Sequence, residues 1–414
     1  MKALRTILFL ALLASPALAQ DSVTLSWKTQ TFKSSKLGES RTIYIATPPD
    51  YAREKQRYPV LVLLDADDRS QFAAAVANVG FLTSRAAIPA MLIVGIPNGK
   101  DRTRDLTPVA TGMTAQTFAT AGGAAKFTDF LIDEVLPRVR SRYRTLPATV
   151  LAGHSFGGLF ALHVAATKPG TFAGIIAMSP SLWWNDSTGI IGYADSIAKS
   201  SVAQRLFATS GGKEPPIDVT TRRFVARLDS VKPASLAFAS QRYPDDTHGL
   251  TPAPSLVDGL RFVFAPVAIN GTAIASLGPT SDSAAVVSAV LSSEQSYAGA
   301  AHSLGLPEKL PEDVLNSLGY NVLQTLKLPN VAVWVFERNV DHYPDSPNVY
   351  DSLGDGLLAR GDSTAARTEF KRARDVAVRV GQPVSKETLK KLAALEPKAN
   401  VVQAGKPRKK GPGG

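Results

Sequence analysis

Residues 149–158 read TVLAGHSFGG, and this stretch decides the fold class. Its apolar start predicts a short buried strand, and the residues from Phe156 to Thr167 have the spacing of a helix. Between the two lies G-x-S-x-G, centred on Ser155. A nucleophilic serine needs a tight strand-to-helix turn that pushes Oγ out of the sheet, and flanking glycines let neighbouring backbone approach. The stretch therefore predicts a nucleophile elbow; the alternative is a glycine-rich turn before a helix.

Short apolar runs alternate with helical segments from about Val23 to Pro266. Pro59–Leu64 and Met91–Gly95 are nearly continuous apolar runs, as expected for strands buried on both faces of a parallel sheet. Further strands are predicted at 41–46, 174–178, 205–209 and 235–238, and a helix over 126–143. This alternation predicts an α/β fold with a mostly parallel sheet and helices on both faces.

Serine is a weak nucleophile unless a base activates it. The chain has five histidines, at His154, His163, His248, His302 and His342. His248 lies in a loop between a predicted strand and a predicted helix, late in the chain and at the expected carboxyl edge of the sheet. His154 adjoins the serine but is expected to point away from Oγ in an elbow. His248 is therefore the predicted base; the alternative is a surface loop histidine.

The third catalytic group, a carboxylate, is expected between Ser155 and His248 in the chain. Glu214 and Asp218 follow a predicted strand and precede a predicted helix. Glu214 is closer to the end of that strand, so it is the preferred acid, with Asp218 as the alternative. Such a carboxylate fixes the imidazole tautomer and stabilises the imidazolium without taking the proton.

An oxyanion hole requires two N–H donors. The backbone N–H of Phe156, the residue after the nucleophile, is the first candidate. The second is expected from the loop after Pro59–Leu64, where Asp67 is the chosen donor. The carboxylates of this Asp65–Asp68 loop could instead form a solvated turn or bind a cation.

The two ends of the chain account for much of its formal net charge of +11. Residues 1–19 combine a basic start, an eight-residue apolar run and an Ala-Leu-Ala ending, which predicts a bacterial secretory signal peptide cleaved after Ala19. The run is short for a membrane span. Residues 397–414 form a basic tail that is expected to be disordered and solvated. Nucleic-acid binding is not expected, and the protein is predicted to be periplasmic or secreted.

Residues 311–396 predict a small all-α region with an internal repeat. Ala332-x-x-x-Phe336 recurs at Ala366-x-x-x-Phe370, and Leu318-Gly319 recurs at Leu353-Gly354. A period near 34 residues with this pattern is typical of tetratricopeptide repeats; an ordinary helical hairpin is the alternative. Two units are too few to stand alone, so this region is expected to pack on the body, bind a partner protein or self-associate. Residues 267–310 are interpreted as a connector.

Several stretches together resemble the putative esterase family of α/β-hydrolases, which includes enterochelin esterase-like and esterase D-like enzymes. They are YPVLVLLDADD (58–68), VGIPNGKDRTRDLTP (94–108), FLIDEVLPRVRSRYRT (130–145), GHSFGG (153–158), SPSLWW (179–184) and THGLTPAPSLVDGL (247–260). The resemblance covers about residues 21–266 and implies an α/β-hydrolase fold with serine-dependent ester hydrolysis and no metal or other cofactor. Related sequences often have glycine where Ala66 stands.

The resemblance also implies that residues 101–108 border the mouth of the site. Asn98, Arg102, Arg104 and Asp105 could then contact substrate, or they could form an Arg–Asp network that holds the loop. Trp183 and Trp184 could form an aromatic wall beside the substrate, or serve packing.

The sequence thus predicts a secreted or periplasmic serine carboxylesterase over residues 20–266, acting on a small or bulky ester through an acyl-enzyme. Two other hypotheses stay open. One is an acyltransferase on the same fold. The other is a binding protein that works through its repeats and carries a vestigial hydrolase domain.

Overall fold

The computed structural model describes residues 25–49, 51–52, 55–187, 189–231, 233–269 and 273–396. The predicted signal peptide and the basic tail at 397–414 lie outside these residues. Eight strands form one sheet: β1 Lys28–Lys33, β2 Ser40–Ala46, β3 Tyr58–Leu64, β4 Leu92–Ile96, β5 Thr145–His154, β6 Gly174–Met178, β7 Gln204–Gly211 and β8 Leu236–Tyr243.

The strand order across the sheet is β1-β2-β4-β3-β5-β6-β7-β8. β2 runs antiparallel to both of its neighbours, and the strands from β4 to β8 are parallel. Every residue of β3, β4 and β6 is buried, which explains their continuous apolar runs. The α/β-hydrolase type of fold predicted from the sequence is confirmed.

Helices follow the strands on both faces of the sheet. They are α1 Arg69–Thr83, α2 Arg102–Leu106, α3 Gly112–Thr117, α4 Ala124–Asp129, α5 Leu136–Arg142, α6 Phe156–Thr167, α7 Gly189–Lys199, α8 Pro215–Val231 and α9 Pro252–Phe264. A π-helical segment, Phe130–Val135, joins α4 to α5, and short 3₁₀ segments lie at Trp184–Ser187, Ala265–Val267 and Ala273–Ser276. Because parallel strands end at the same edge, the loops after β3, β5 and β7 meet there.

Six further helices follow the sheet. They are α10 Ser283–Leu304, α11 Glu312–Gln324, α12 Pro329–His342, α13 Pro347–Arg360, α14 Ser363–Val380 and α15 Lys386–Ala394. The stretch interpreted as a connector therefore contains a helix of 22 residues. One continuous apolar cluster extends from β5, through α9 and α10, to Phe336 and Phe370 in the C-terminal helices. The helical region and the sheet consequently share a core.

The repeat pattern corresponds to two close helix crossings. A Cβ added at Gly319 would overlap the ring of Phe336, and one added at Gly354 would overlap the ring of Phe370. Both phenylalanines are fully buried. The small residue in each Leu-Gly pair thus makes room for the aromatic residue of the next helix. The C-terminal helical region is confirmed, and its assignment as tetratricopeptide-like stays a prediction.

We expect Gly354→Ala to lower the free energy of unfolding by about 1–3 kcal/mol, because the added methyl group overpacks a closed core against Phe370. Gly299→Ala in α10 is the matched control. A Cβ there meets nothing within 4 Å, so it should raise stability by about 0.5–1 kcal/mol through helix propensity. Urea denaturation of the full chain measures both, and equal effects would contradict the close crossing.

Candidate active site

Ser155 occupies a sharp turn between β5, which ends at His154, and α6, which begins at Phe156. Its backbone has φ 59° and ψ −114°, and its N–H donates to the carbonyl oxygen of Met178 at 3.0 Å. A Cβ at Gly153 would overlap the carbonyl of Gly157. The geometry is that of a nucleophile elbow, and the close backbone approach explains the glycine.

The loops after β7 and β8 bring Glu214 and His248 together. Nδ1 of His248 lies 2.5 Å from Oε2 of Glu214. The other carboxylate oxygen accepts from Oγ of Ser179 at 2.6 Å and from the N–H of Gly211. Burial alone would raise the pKa of Glu214, but the hydrogen bonds from His248, Ser179 and Gly211 hold it below its ordinary value. Glu214 is therefore a carboxylate at neutral pH and orients Nδ1 of His248. This leaves Nε2 of His248 free to accept a proton.

Asp218 lies one helical turn further on and has different partners. Its Oδ1 accepts from Oγ of Ser210 at 2.9 Å and from Nε of Arg242 at 3.0 Å, and Arg222 lies on Oδ2 at 3.3 Å. Burial opposes ionisation, but these partners, Arg242 first, lower the pKa of Asp218. Of the two predicted acids, the structure brings only Glu214 into contact with His248.

Ser155 and His248 lie at the same edge of the sheet. His154, which precedes Ser155 in the chain, contacts the ring of His248. The ring centroids of His154 and His248 are 4.2 Å apart. Oγ of Ser155 lies 3.2 Å from Oγ of Ser181, and among the described residues no hydrogen bond joins it to His248. Serine–base hydrogen bonds are often long in enzymes without substrate and tighten only in the complex.

Of the two predicted oxyanion donors, Phe156 directly follows the serine and Asp67 lies in the loop after β3. Within the described ranges, the N–H groups of Phe156 and Asp67 have no protein acceptor, as such donors must. The neighbouring Ala66 N–H donates to the carbonyl of Ile96 at 3.2 Å. Asn98 holds the Asp67 carboxylate through its own N–H at 3.0 Å and its amide at 2.8 Å. The loop after β3 is thus fixed by side chains rather than solvated throughout.

Arg102 joins this loop to the elbow. Its Nε donates to Oδ1 of Asp65 at 2.6 Å, and Nη2 donates to Oδ2 at 3.0 Å and to the carbonyl of His154 at 3.3 Å. The Arg102 side chain is 33% exposed. Arg102 combines the two interpretations, because it holds the loop and stays accessible to a substrate.

Arg104 and Asp105 belong to a separate charged network in which Arg41 and Asp105 are buried and Arg104 is partly exposed. Arg104 contacts Glu39 at 2.9 Å and Asp105 at 2.7 Å, and Arg41 contacts Asp105 at 2.5 Å. Arg41 and Asp105 are each 2% exposed. These contacts support the loop-holding alternative for Arg104, and its predicted substrate contact has no geometric support.

Four aromatic rings form a cluster beside the elbow. Phe156 lies 5.9 Å from Trp183 and 5.4 Å from Trp184, and Phe118 lies 5.7 Å from Phe156, measured between centroids. Trp184 is buried, so it serves packing, whereas Trp183 is only partly buried. Phe118 carried no motif in the sequence and was missed.

The hydroxyl groups of Ser179 and Ser181 lie behind the site and were not predicted to belong to it. Ser181 contacts Ser155, and Ser179 bonds both Glu214 and, at 2.8 Å, Thr251. Ser179 and Ser181 are part of the SPSLWW stretch that carried the family resemblance. The sequence therefore pointed to this stretch but not to a function for its two serines. Their side chains satisfy buried polar groups that water cannot reach.

The described residues contain neither a candidate metal-binding cluster nor a candidate membrane span. No group of three or more His, Cys, Asp or Glu side chains there is placed to hold a metal ion. None of the helices in that part of the chain combines the length and apolar content that a membrane span requires.

Comparison with known proteins finds similarity to one family. A family model described as "Putative esterase" matches residues 34–229, which include Ser155 and Glu214 and end before His248. The chain is 34% identical over 170 residues to the ferri-bacillibactin esterase BesA of Bacillus subtilis, covering 36% of this chain and 57% of that protein. It is 43% identical over 90 residues to the siderophore triacetylfusarinine C esterase of Aspergillus fumigatus, covering 21% and 30%.

A solved structure shows the same fold over its whole length. The IroE-like serine hydrolase from Shewanella oneidensis is 27% identical, with a TM-score of 0.65, and the match covers 77% of this chain and all of that one. The matches to the two curated relatives span less than two thirds of either. The family model, the relatives and the fold together support an esterase family of the α/β-hydrolase type.

Proposed function

We propose that the protein is a serine carboxylesterase whose triad is Ser155, His248 and Glu214. The observation that carries the proposal is the 2.5 Å contact of Glu214 with Nδ1 of His248, beside a serine on a strained strand-to-helix turn. Glu214 fixes the tautomer in which Nε2 is the free base. The N–H groups of Phe156 and Asp67 are the proposed oxyanion donors.

The proposed reaction proceeds through an acyl-enzyme. His248 Nε2 takes the proton from Ser155 Oγ as Oγ attacks the ester carbonyl, and the two N–H groups hold the oxyanion. The imidazolium then gives that proton to the leaving alcohol. A water molecule, deprotonated by the same histidine, attacks the acyl-enzyme and releases the acid with Ser155 restored.

We further propose that the substrate is a bulky ester of the siderophore kind. The two curated relatives act on triacetylfusarinine C and ferri-bacillibactin by their names. The side chain of Arg102 is partly exposed, and its guanidinium carbon lies 5.3 Å from the centroid of the Phe156 ring, which supports binding of an anionic or aromatic group. Export to the periplasm or medium is also part of the proposal, carried by the pattern of residues 1–19.

The direct test is covalent labelling with a fluorophosphonate probe, which reacts with activated serines. The purified full chain should label at Ser155 with one probe per chain, and Ser155→Ala should not label. Ser181→Ala is the matched control, because it removes the neighbouring hydroxyl and should still label. An unlabelled wild-type protein would refute both the esterase and the acyltransferase. Product analysis with and without an alcohol acceptor separates these two.

A further inference from the structure

A second imidazole lies directly against His248. The ring of His154 has its centroid 4.2 Å from that of His248, and the two planes are inclined by 37°. His154 is the last residue of β5 and pairs with Met178 of β6. Its carbonyl oxygen also accepts from Arg102. The backbone that forms the elbow therefore also fixes the ring on which His248 rests.

His154 is uncharged at neutral pH. Burial, and after it the positive charge of His248, lower the pKa of His154 to about 4. Asp65 and Glu214 oppose this change more weakly, and each is paired, Asp65 with Arg102 and Glu214 with His248. A protonated His154 would face a protonated His248 during catalysis, so the depressed pKa keeps the site free of that repulsion.

Only part of the His154 imidazole has a polar partner, because the backbone of His248 hydrogen-bonds to the ring and opposes the lowering of its pKa. Nε2 of His154 is buried and has no hydrogen-bond partner among the described residues. A buried nitrogen without a partner lowers stability, and an aliphatic side chain would avoid that loss. What the flat ring offers instead is a neutral aromatic surface against His248.

We propose that His154 is a positioning residue for His248, stacked beneath its ring and stabilising the imidazolium that forms when His248 takes the proton of Ser155. This inference rests on the proposed function. A cation within about 6 Å of an aromatic centroid is attracted by the electrons of the ring, and His248 is well inside that distance. The stack also restricts rotation of His248, so that Nδ1 stays on Glu214.

The experiment compares His154→Leu, which removes the aromatic ring, with His154→Phe, which keeps it. The imidazole pKa of His248 is measured by NMR titration of labelled histidine, assigned with His248→Gln, alongside kcat and KM on one ester. His154→Leu should lower the pKa of His248 and lower kcat by about 3- to 30-fold with KM unchanged. His154→Phe should stay within about twofold of wild type.

His163→Leu is the matched control. This histidine is also half-buried, in α6, where burial lowers its pKa, and its Nδ1 lies 3.4 Å from the hydroxyl of Tyr193. Removing it should change neither the titration of His248 nor kcat. If His154→Leu behaves like this control, or if His154→Phe loses as much as His154→Leu, the proposal is wrong. If the leucine variant does not fold, a loss of kcat in the phenylalanine variant would still refute the proposal.

The NMR readout separates this inference from the proposed function. A wild-type protein that neither hydrolyses esters nor reacts with the fluorophosphonate would refute the esterase. The titration of His248 in the two variants would still report whether the stack stabilises its charged form.

Discussion

Replacing Ser155 with alanine should lower kcat by about 10⁵- to 10⁶-fold while leaving the free energy of unfolding nearly unchanged. The substitution removes the atom that attacks the ester. Oγ of Ser155 forms a hydrogen bond with Oγ of Ser181 at 3.2 Å, so the substitution removes little interaction from the folded state. Alanine also bears the same steric cost as serine at φ 59°. Steady-state hydrolysis of an activated ester and urea denaturation measure the two effects.

Groups that act as one unit give non-additive losses, which provides an internal check. His248→Ala should cost about as much as Ser155→Ala, and the double variant should be no slower than either single one. Ser181→Ala removes the neighbouring hydroxyl only and should cost less than about tenfold. A Ser155→Ala protein that kept more than about a hundredth of the activity would assign the reaction to another group.

Glu214→Gln should lower kcat by about 10³- to 10⁴-fold, with a smaller change in KM. The amide keeps the size of the side chain but can present N–H to Nδ1 of His248, which favours the wrong tautomer. The imidazolium of the transition state also loses its negative partner at 2.5 Å. Kinetics over pH 6–9 would measure the loss, and circular dichroism would show that the chain is folded.

Asp218→Asn is the matched control for this change, because it also removes a buried, hydrogen-bonded carboxylate from the same segment. Asp218 contacts Arg242 and Ser210 rather than His248, so kcat should stay within about fivefold of wild type even where stability falls. The reverse result, with Asp218→Asn inactive and Glu214→Gln active, would make Asp218 the acid.

Much of the sheet could be predicted from the sequence because its central strands are buried on both faces. β6 and α6 have the predicted bounds, Gly174–Met178 and Phe156–Thr167. β5 begins four residues before the predicted start, at Thr145. Pro147 obscures that start, since proline cannot donate to the ladder, and the pairing of β3 with β5 shifts register at this point.

The helix predicted over 126–143 is interrupted by a π-helical turn, Phe130–Val135, just before Pro137. The apolar spacing gave no sign of this turn, because the buried side chains before and after it still reach one face. Proline has no N–H to donate to the preceding turn, and a π-helical turn is one way in which a helix accommodates this.

The site was harder to predict than the fold because its partners come from distant segments. Residue spacing could not decide between Glu214 and Asp218, which are four residues apart. The loop carrying His248 decides between them, because it brings His248 into contact with Glu214, whereas Asp218 contacts Arg242. Likewise, no local pattern indicated that Arg102 would donate a hydrogen bond to Asp65 or that Asn98 would donate one to Asp67.

The shared core between the sheet and the C-terminal helices affects how the chain can fold. The predicted boundary at residue 266 does not interrupt the apolar cluster, which joins β5 to helices synthesised more than 130 residues later. Part of the apolar surface of this cluster therefore stays exposed to solvent until those helices have formed. A nascent chain that ends at residue 266 would be prone to aggregation and would depend on a holdase chaperone.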